Sequence, residues 1–105
     1  MSHMKGIIEE EYERLNELIS FYVKEISKFP RGSLIKRVIH GQKYAYLRYR
    51  ENGEHCTDYI GRIDSEEVKE LEKKISERRE LEKLLKQAKD NLKEAEKLLK
   101  HTNNE

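Results

Sequence analysis

The sequence predicts a small α+β protein: a helix, a three-stranded antiparallel β-meander, and a long coiled-coil-like helix. Three observations carry that prediction. Apolar residues recur every three or four positions at both ends of the chain, the spacing that lines one face of a helix. The middle third instead holds the only proline, four of the five glycines and four of the six tyrosines. Within it, Asn52-Gly53 separates two runs of alternating character, the strongest short-range signal for a β-hairpin.

Composition bounds what such a protein can be. At 105 residues there is room for one small domain, read here as residues 4–105, with Met1-Ser2-His3 ahead of Met4 resembling a cloning remnant. Charged residues reach 41%, well above the ~25% of an ordinary soluble domain, and the hydrophobic 35% lacks tryptophan. A large enzyme core is thereby excluded. No apolar run approaches the ~20 residues of a membrane span, and no signal-peptide pattern is visible. A cytoplasmic protein without a membrane partner is expected. The single Cys56 excludes an internal disulfide and a multi-cysteine zinc site. Charge is uneven: residues 4–29 carry four basic and six acidic side chains, residues 30–63 seven and three, and residues 64–105 eleven and twelve. The basic excess sits in the meander.

The first helix is expected over about 6–28. Ile8, Tyr12, Leu15, Ile19, Tyr22 or Val23, and Ile26 form its stripe, which Leu18 and Phe29 widen. Glu9, Glu10, Glu11 and Glu13 are expected near the positive end of its dipole, and Lys24 and Lys28 near the negative end. Pro30 and then Gly32 stop it, since proline disfavours helical geometry at the residue before it.

The meander is expected over about 33–61. Ser33–His40 is rich in Leu, Ile and Val, Lys43–Arg50 alternates aromatic and polar residues, and His55–Ile60 is shorter. Gly41-Gln42 suits a type II′ turn and Asn52-Gly53 a type I′ turn. Two-residue loops then place His40 opposite Lys43, Val38 opposite Ala45, and Arg50 opposite His55. One face collects Leu34, Lys36, Val38, Ala45, Leu47, Tyr49, Cys56, Asp58 and Ile60, with Lys36 and Asp58 flanking Leu47. The other collects Ile35, Arg37, Ile39, Tyr44, Tyr46, Arg48, Arg50, His55, Thr57 and Tyr59, and holds no acid. The first face is expected to pack on helix, and the second to stay at least partly exposed.

The long helix is expected over about 65–100, capped by Asp64 or Ser65. Its apolar positions are Val68, Leu71 and Ile75, then Leu81, Leu85, Ala88, Leu92, Ala95 and Leu99. The second set is a heptad-like seam, and Arg78 interrupts the pattern ahead of it. This rod, roughly 54 Å long, outruns the roughly 35 Å of the first helix. Its stripe needs the first helix beside it, a second chain, or both. A homodimer through Leu81–Leu99 is the expectation, with an intramolecular hairpin as the alternative.

No phosphate-binding glycine loop, His-Glu-x-x-His or Gly-x-Ser-x-Gly motif is present, and no catalytic residue, cofactor or metal site is expected. His55 adjoins Cys56, but neighbours along a strand point to opposite faces, so His55 is badly placed to act as that thiol's base. The feature that bears on function is the basic aromatic face. Arg31, Arg37, Lys43, Arg48, Arg50 and Arg62 can meet phosphates, and Tyr44, Tyr46 and Tyr59 can stack on bases or sugars. The plainer alternative is that the tyrosines cover Ile35 and Ile39 while the arginines keep an exposed face soluble.

Arg31-Gly32-Ser33-Leu34, Tyr44-Ala45-Tyr46-Leu47-Arg48-Tyr49-Arg50 and Tyr59-Ile60-Gly61-Arg62 together resemble a pattern in uncharacterised small bacterial and archaeal proteins. Those share a Gly-Ser-Leu opening, a Tyr-x-Tyr-Leu strand, a Tyr-Arg-x-x-Gly turn, a Tyr-Ile-Gly close and a trailing charged helix. A similar hairpin occurs near the amino end of some transposases. The resemblance spans about residues 31–85 and implies a mobile-element or phage setting rather than an activity. Relatives with cysteines at the first turn differ from this chain, where Gly41-Gln42 leaves no metal site there.

The expected function is that of a non-enzymatic nucleic-acid-binding accessory protein. One alternative is a phage-borne inhibitor of a protein target such as a CRISPR nuclease, and the other a structural coiled-coil adaptor.

Overall fold

The structure, a computed structural model, describes residues 3–103, with side chains as far as His101. Met1 and Ser2 of the expected cloning remnant lie outside the described residues. Helix α1 spans His3–Ile26 and helix α2 spans Glu66–Asn103. Between them strands β1 (Ser33–Ile39), β2 (Gln42–Glu51) and β3 (Glu54–Arg62) form one antiparallel sheet in the order β1-β2-β3. This is the helix, meander and long helix that periodicity and turn residues predict. The chain divides into two compact units. One comprises α1 with α2 from Glu80 onward, and the other is Phe29–Arg79.

In the helical unit, Leu15 is 2% exposed and shares a core with Ala88 and Ala95. Ile8, Tyr12, Leu18, Ile19, Tyr22 and Leu92 pack around them. The two alanines leave room for the larger side chains of α1, so large and small residues interdigitate. Ala88, Leu92 and Ala95, half of the seam read as a self-association surface, are thus occupied within the chain, and Leu81, Leu85 and Leu99 are half-buried. The glutamates of α1 depart from expectation. With His3 as its first described residue, α1 has no acid in its first turn, and a helix dipole acts mainly within one turn of its end. Glu9, Glu10, Glu11 and Glu13 lie too far along to complement it. Glu11 instead accepts a hydrogen bond from Arg14, which holds its carboxyl below the ordinary carboxylate range.

In the sheet unit, Ala45 and Val68 are fully buried and Ile75 nearly so. Leu34, Leu47, Tyr49, Cys56 and Ile60, all on the face of Ala45, are half-buried, as is Leu71 of α2. Ser65 caps α2, its hydroxyl accepting a hydrogen bond from the Val68 N–H at 3.3 Å.

The β2–β3 hairpin turns on Asn52-Gly53 with φ of 53° and 82°, and it pairs Arg50 with His55 and Tyr49 with Cys56. That is the expected register. The β1–β2 hairpin turns one residue earlier than expected. His40 and Gly41 take φ of 50° and 77°, the signature of a type I′ turn in place of type II′ at Gly41-Gln42. Histidine is one of the few side chains enriched in left-handed geometry. Val38 therefore faces Lys43, and Lys36 faces Ala45, while Leu47 lies between Leu34 and Asp58. Partners change by two positions, an even slip, so every side chain of β1 keeps its expected face. A bulge adds a second departure. Ala45 pairs with Gly61 and Tyr46 with Tyr59, leaving Ile60 as the extra residue and bringing Arg62 opposite Tyr44.

Candidate nucleic-acid interface

The register builds three rows across the face opposite Ala45. These are Arg37–Tyr44–Arg62, Ile35–Tyr46–Tyr59 and Ser33–Arg48–Thr57, with the Arg50–His55 pair beyond them. Two residues of strand separate successive rows, roughly 7 Å. The tyrosines of the first two rows touch. Tyr59 meets Tyr46 edge-on at 5.5 Å between ring centroids and Tyr44 in a tilted contact at 6.1 Å, geometries that aromatic rings favour. The Arg37 guanidinium lies 4.7 Å above the Tyr46 ring, a cation–π contact.

The remaining cations are held at the periphery of this aromatic group. Arg62 donates to Gln42 Oε1 at 2.7 Å, with the exposed Asp64 carboxylate 4.0 Å from its Nε. Arg50 Nη2 lies 3.3 Å from His55 Nε2, and because a guanidinium can only donate, that ring nitrogen accepts. Strand alternation sends all three acids of residues 30–63, Glu51, Glu54 and Asp58, to the opposite face. There Asp58 accepts a hydrogen bond from Tyr49, which pushes that phenol up to about 12.

Seven of the nine residues read as nucleic-acid contacts share this face: Arg37, Tyr44, Tyr46, Arg48, Arg50, Tyr59 and Arg62. Two do not join them. Lys43 pairs with Val38 and alternates onto the opposite face, and Arg31 precedes β1, outside the sheet. Sequence reasoning misses Gln42, which orients Arg62, and the bulge at Ile60, which delivers it. Gly61 is the available signal, since an isolated glycine within a strand often marks a bulge.

The face can bind and stack, with guanidinium groups for anions and rings for planar groups. Cys56 lies on the other side, half-buried, its Sγ 3.9 Å from the Glu54 carbonyl, while His55 is turned to Arg50. Among the described residues no group of three or more His, Cys, Asp or Glu is placed to share a metal ion. No described helix is long and apolar enough to cross a membrane.

The chain belongs to the family described as a domain of unknown function, DUF6788, whose model matches residues 5–70. The match takes in most of α1, the whole meander and the first turn of α2. No curated protein and no solved structure matches the chain.

Proposed function

We propose that the chain is a non-enzymatic nucleic-acid-binding accessory protein of a mobile element or phage, acting through the basic aromatic face of its sheet. Charge segregation carries this reading. Arg37, Arg48, Arg50 and Arg62 share a face with three tyrosines, while every acid of the three strands alternates to the other side. Such a face attracts a polyanion, and a planar guanidinium both engages phosphate bidentately and stacks on rings. The mobile-element or phage setting rests on the resemblance to uncharacterised small bacterial and archaeal proteins with Tyr-x-Tyr-Leu and Tyr-Ile-Gly motifs, a hairpin similar to which occurs in some transposases. A homodimer through α2, expected along the Leu81–Leu99 seam, belongs to the same proposal. Because Ala88, Leu92 and Ala95 of that seam pack against α1, the exposed Leu84 and Leu98, equivalent heptad positions, take their place as side chains a second chain would cover.

Fluorescence anisotropy with labelled oligonucleotides at about 50 and 200 mM salt tests the reading. Neutralising roughly four phosphates gives a log–log salt slope near −3 to −4. The triple variant Arg37→Glu, Arg48→Glu, Arg50→Glu abolishes binding and leaves helicity unchanged, because exposed charges contribute little to folding. A flat signal for the unmodified protein rejects the proposal. One observation favours a second reading: α1 exposes Glu9, Glu10, Glu13 and Glu17, an acidic surface suited to the basic channel of a target such as a nuclease. An inhibitor of that kind binds its enzyme and no oligonucleotide.

A further inference from the structure

We infer that the basic aromatic face selects single-stranded nucleic acid, with Tyr59 as its stacking platform, an inference that rests on the nucleic-acid reading above. The three tyrosines of the face are not equivalent. Tyr46 carries the Arg37 guanidinium over its ring, so that π surface is already engaged within the chain. Tyr44 is half-buried. Tyr59 is 57% exposed, yet its ring contacts those of Tyr44 and Tyr46 at centroid distances of 6.1 and 5.5 Å. An exposed ring braced by two others is oriented before any ligand arrives, so little freedom is lost on binding.

The cations surround that ring in a pattern that suits one strand. Arg62 stands one row to one side of Tyr59 and Arg48 one row to the other, so the two cationic rows are roughly 14 Å apart across the ring. Phosphates bound at both ends would leave the intervening bases over Tyr59. Charge complementarity names the polyanion, and the exposed ring names its form. A duplex keeps its bases stacked inside and offers this face only phosphates, so the ring would contribute nothing. A single strand offers both phosphates and free base faces, and every base can stack.

Labelled oligo-dT and oligo-rU of about 12 nucleotides, compared with a blunt duplex of equal length, test the inference with the full chain. The single strands are expected to bind about tenfold or more tighter than the duplex at the same salt. Tyr59→Ile keeps a β-branched side chain suited to a strand and removes the π face. It is expected to reduce single-strand affinity to the duplex level, whereas Tyr59→Trp retains it. Circular dichroism of both variants must match the unmodified protein, and Tyr59→Leu replaces Tyr59→Ile if that variant does not fold. Equal or tighter duplex binding overturns the inference while the nucleic-acid reading stands. So does unchanged single-strand affinity in the folded variant lacking the ring. Absence of binding to every oligonucleotide overturns both.

Discussion

The Arg78 guanidinium donates to the Gly32 carbonyl at 2.8 Å, and its other terminal nitrogen donates to the Pro30 carbonyl at 2.5 Å. A charged side chain in the apolar pattern of α2 thus secures the turn that leads into β1. These carbonyls precede the ladder of β1 and need partners from elsewhere. A fork of fixed geometry meets two of them at once.

Arg78→Ala should therefore destabilise the protein by about 2–4 kcal/mol, given about 1.5–3 kcal/mol for a hydrogen bond to a charged group. Arg78→Lys keeps the charge but not the fork, and should recover less than half of the loss. Urea denaturation reads both. If alanine and lysine variants share the midpoint of the unmodified protein, the contact contributes nothing to folding.

Two glycines in the same chain should respond to alanine with opposite signs. Gly32 has φ of 99°, and a Cβ there would run into the Arg48 carbonyl and approach the Tyr49 Cβ to 2.9 Å. Gly32→Ala should cost more than about 1 kcal/mol, since incompatible backbone geometry outweighs the entropy gained. Gly6 lies in α1, where an added methyl group would meet nothing within 4 Å, so Gly6→Ala should stabilise by about 0.5–1 kcal/mol. Paired thermal melts decide, and melting shifts of the same sign would refute the contrast.

The alternation of β1 and β2 makes the two sheet faces legible, because an even slip in the hairpin leaves each side chain on its side. The exact partners are less legible. His40 competes with Gly41 and Gln42 for the turn, and local preferences differ little when histidine tolerates positive φ. Tyr46 and Tyr59 are neighbours in the register that Asn52-Gly53 alone dictates, since both lie on the turn side of the bulge. Arg62 lies past it, and its row cannot be read without it. Arg78 reads in sequence only as a gap in an apolar stripe, because its partners are backbone carbonyls, which no residue type advertises.

The hydrogen bond from Tyr49 to Asp58 gives a pH signature. It raises the Tyr49 phenol from 10.0 to about 12, favouring the neutral ring in the folded state. A raised folded value means that the contribution is fully present below the unfolded pKa and fades as pH climbs through the folded one. The window is therefore pH 10 to about 12. Ultraviolet titration of phenolate should show one tyrosine ionising near the top of that window, and Asp58→Asn should move it down. A titration curve unaltered by Asp58→Asn would remove Asp58 as the cause.

Leu15 and Leu92 separate folding from self-association. Leu15→Ala empties the centre of the core shared with Ala88 and Ala95 and should cost about 2–5 kcal/mol. Leu92→Glu introduces a charge beside the same core, so it should lower helicity even in dilute protein, whatever the number of chains. Leu84 and Leu98 are different, being 43% and 45% exposed and one face position repeated after two heptads. Leu84→Glu with Leu98→Glu should leave the fold intact and, if α2 joins two chains, halve the mass measured by light scattering at high micromolar concentration. An unmodified protein that is already monomeric there rejects the homodimer. In that case the packing of α2 on α1 within one chain is what the heptad seam serves.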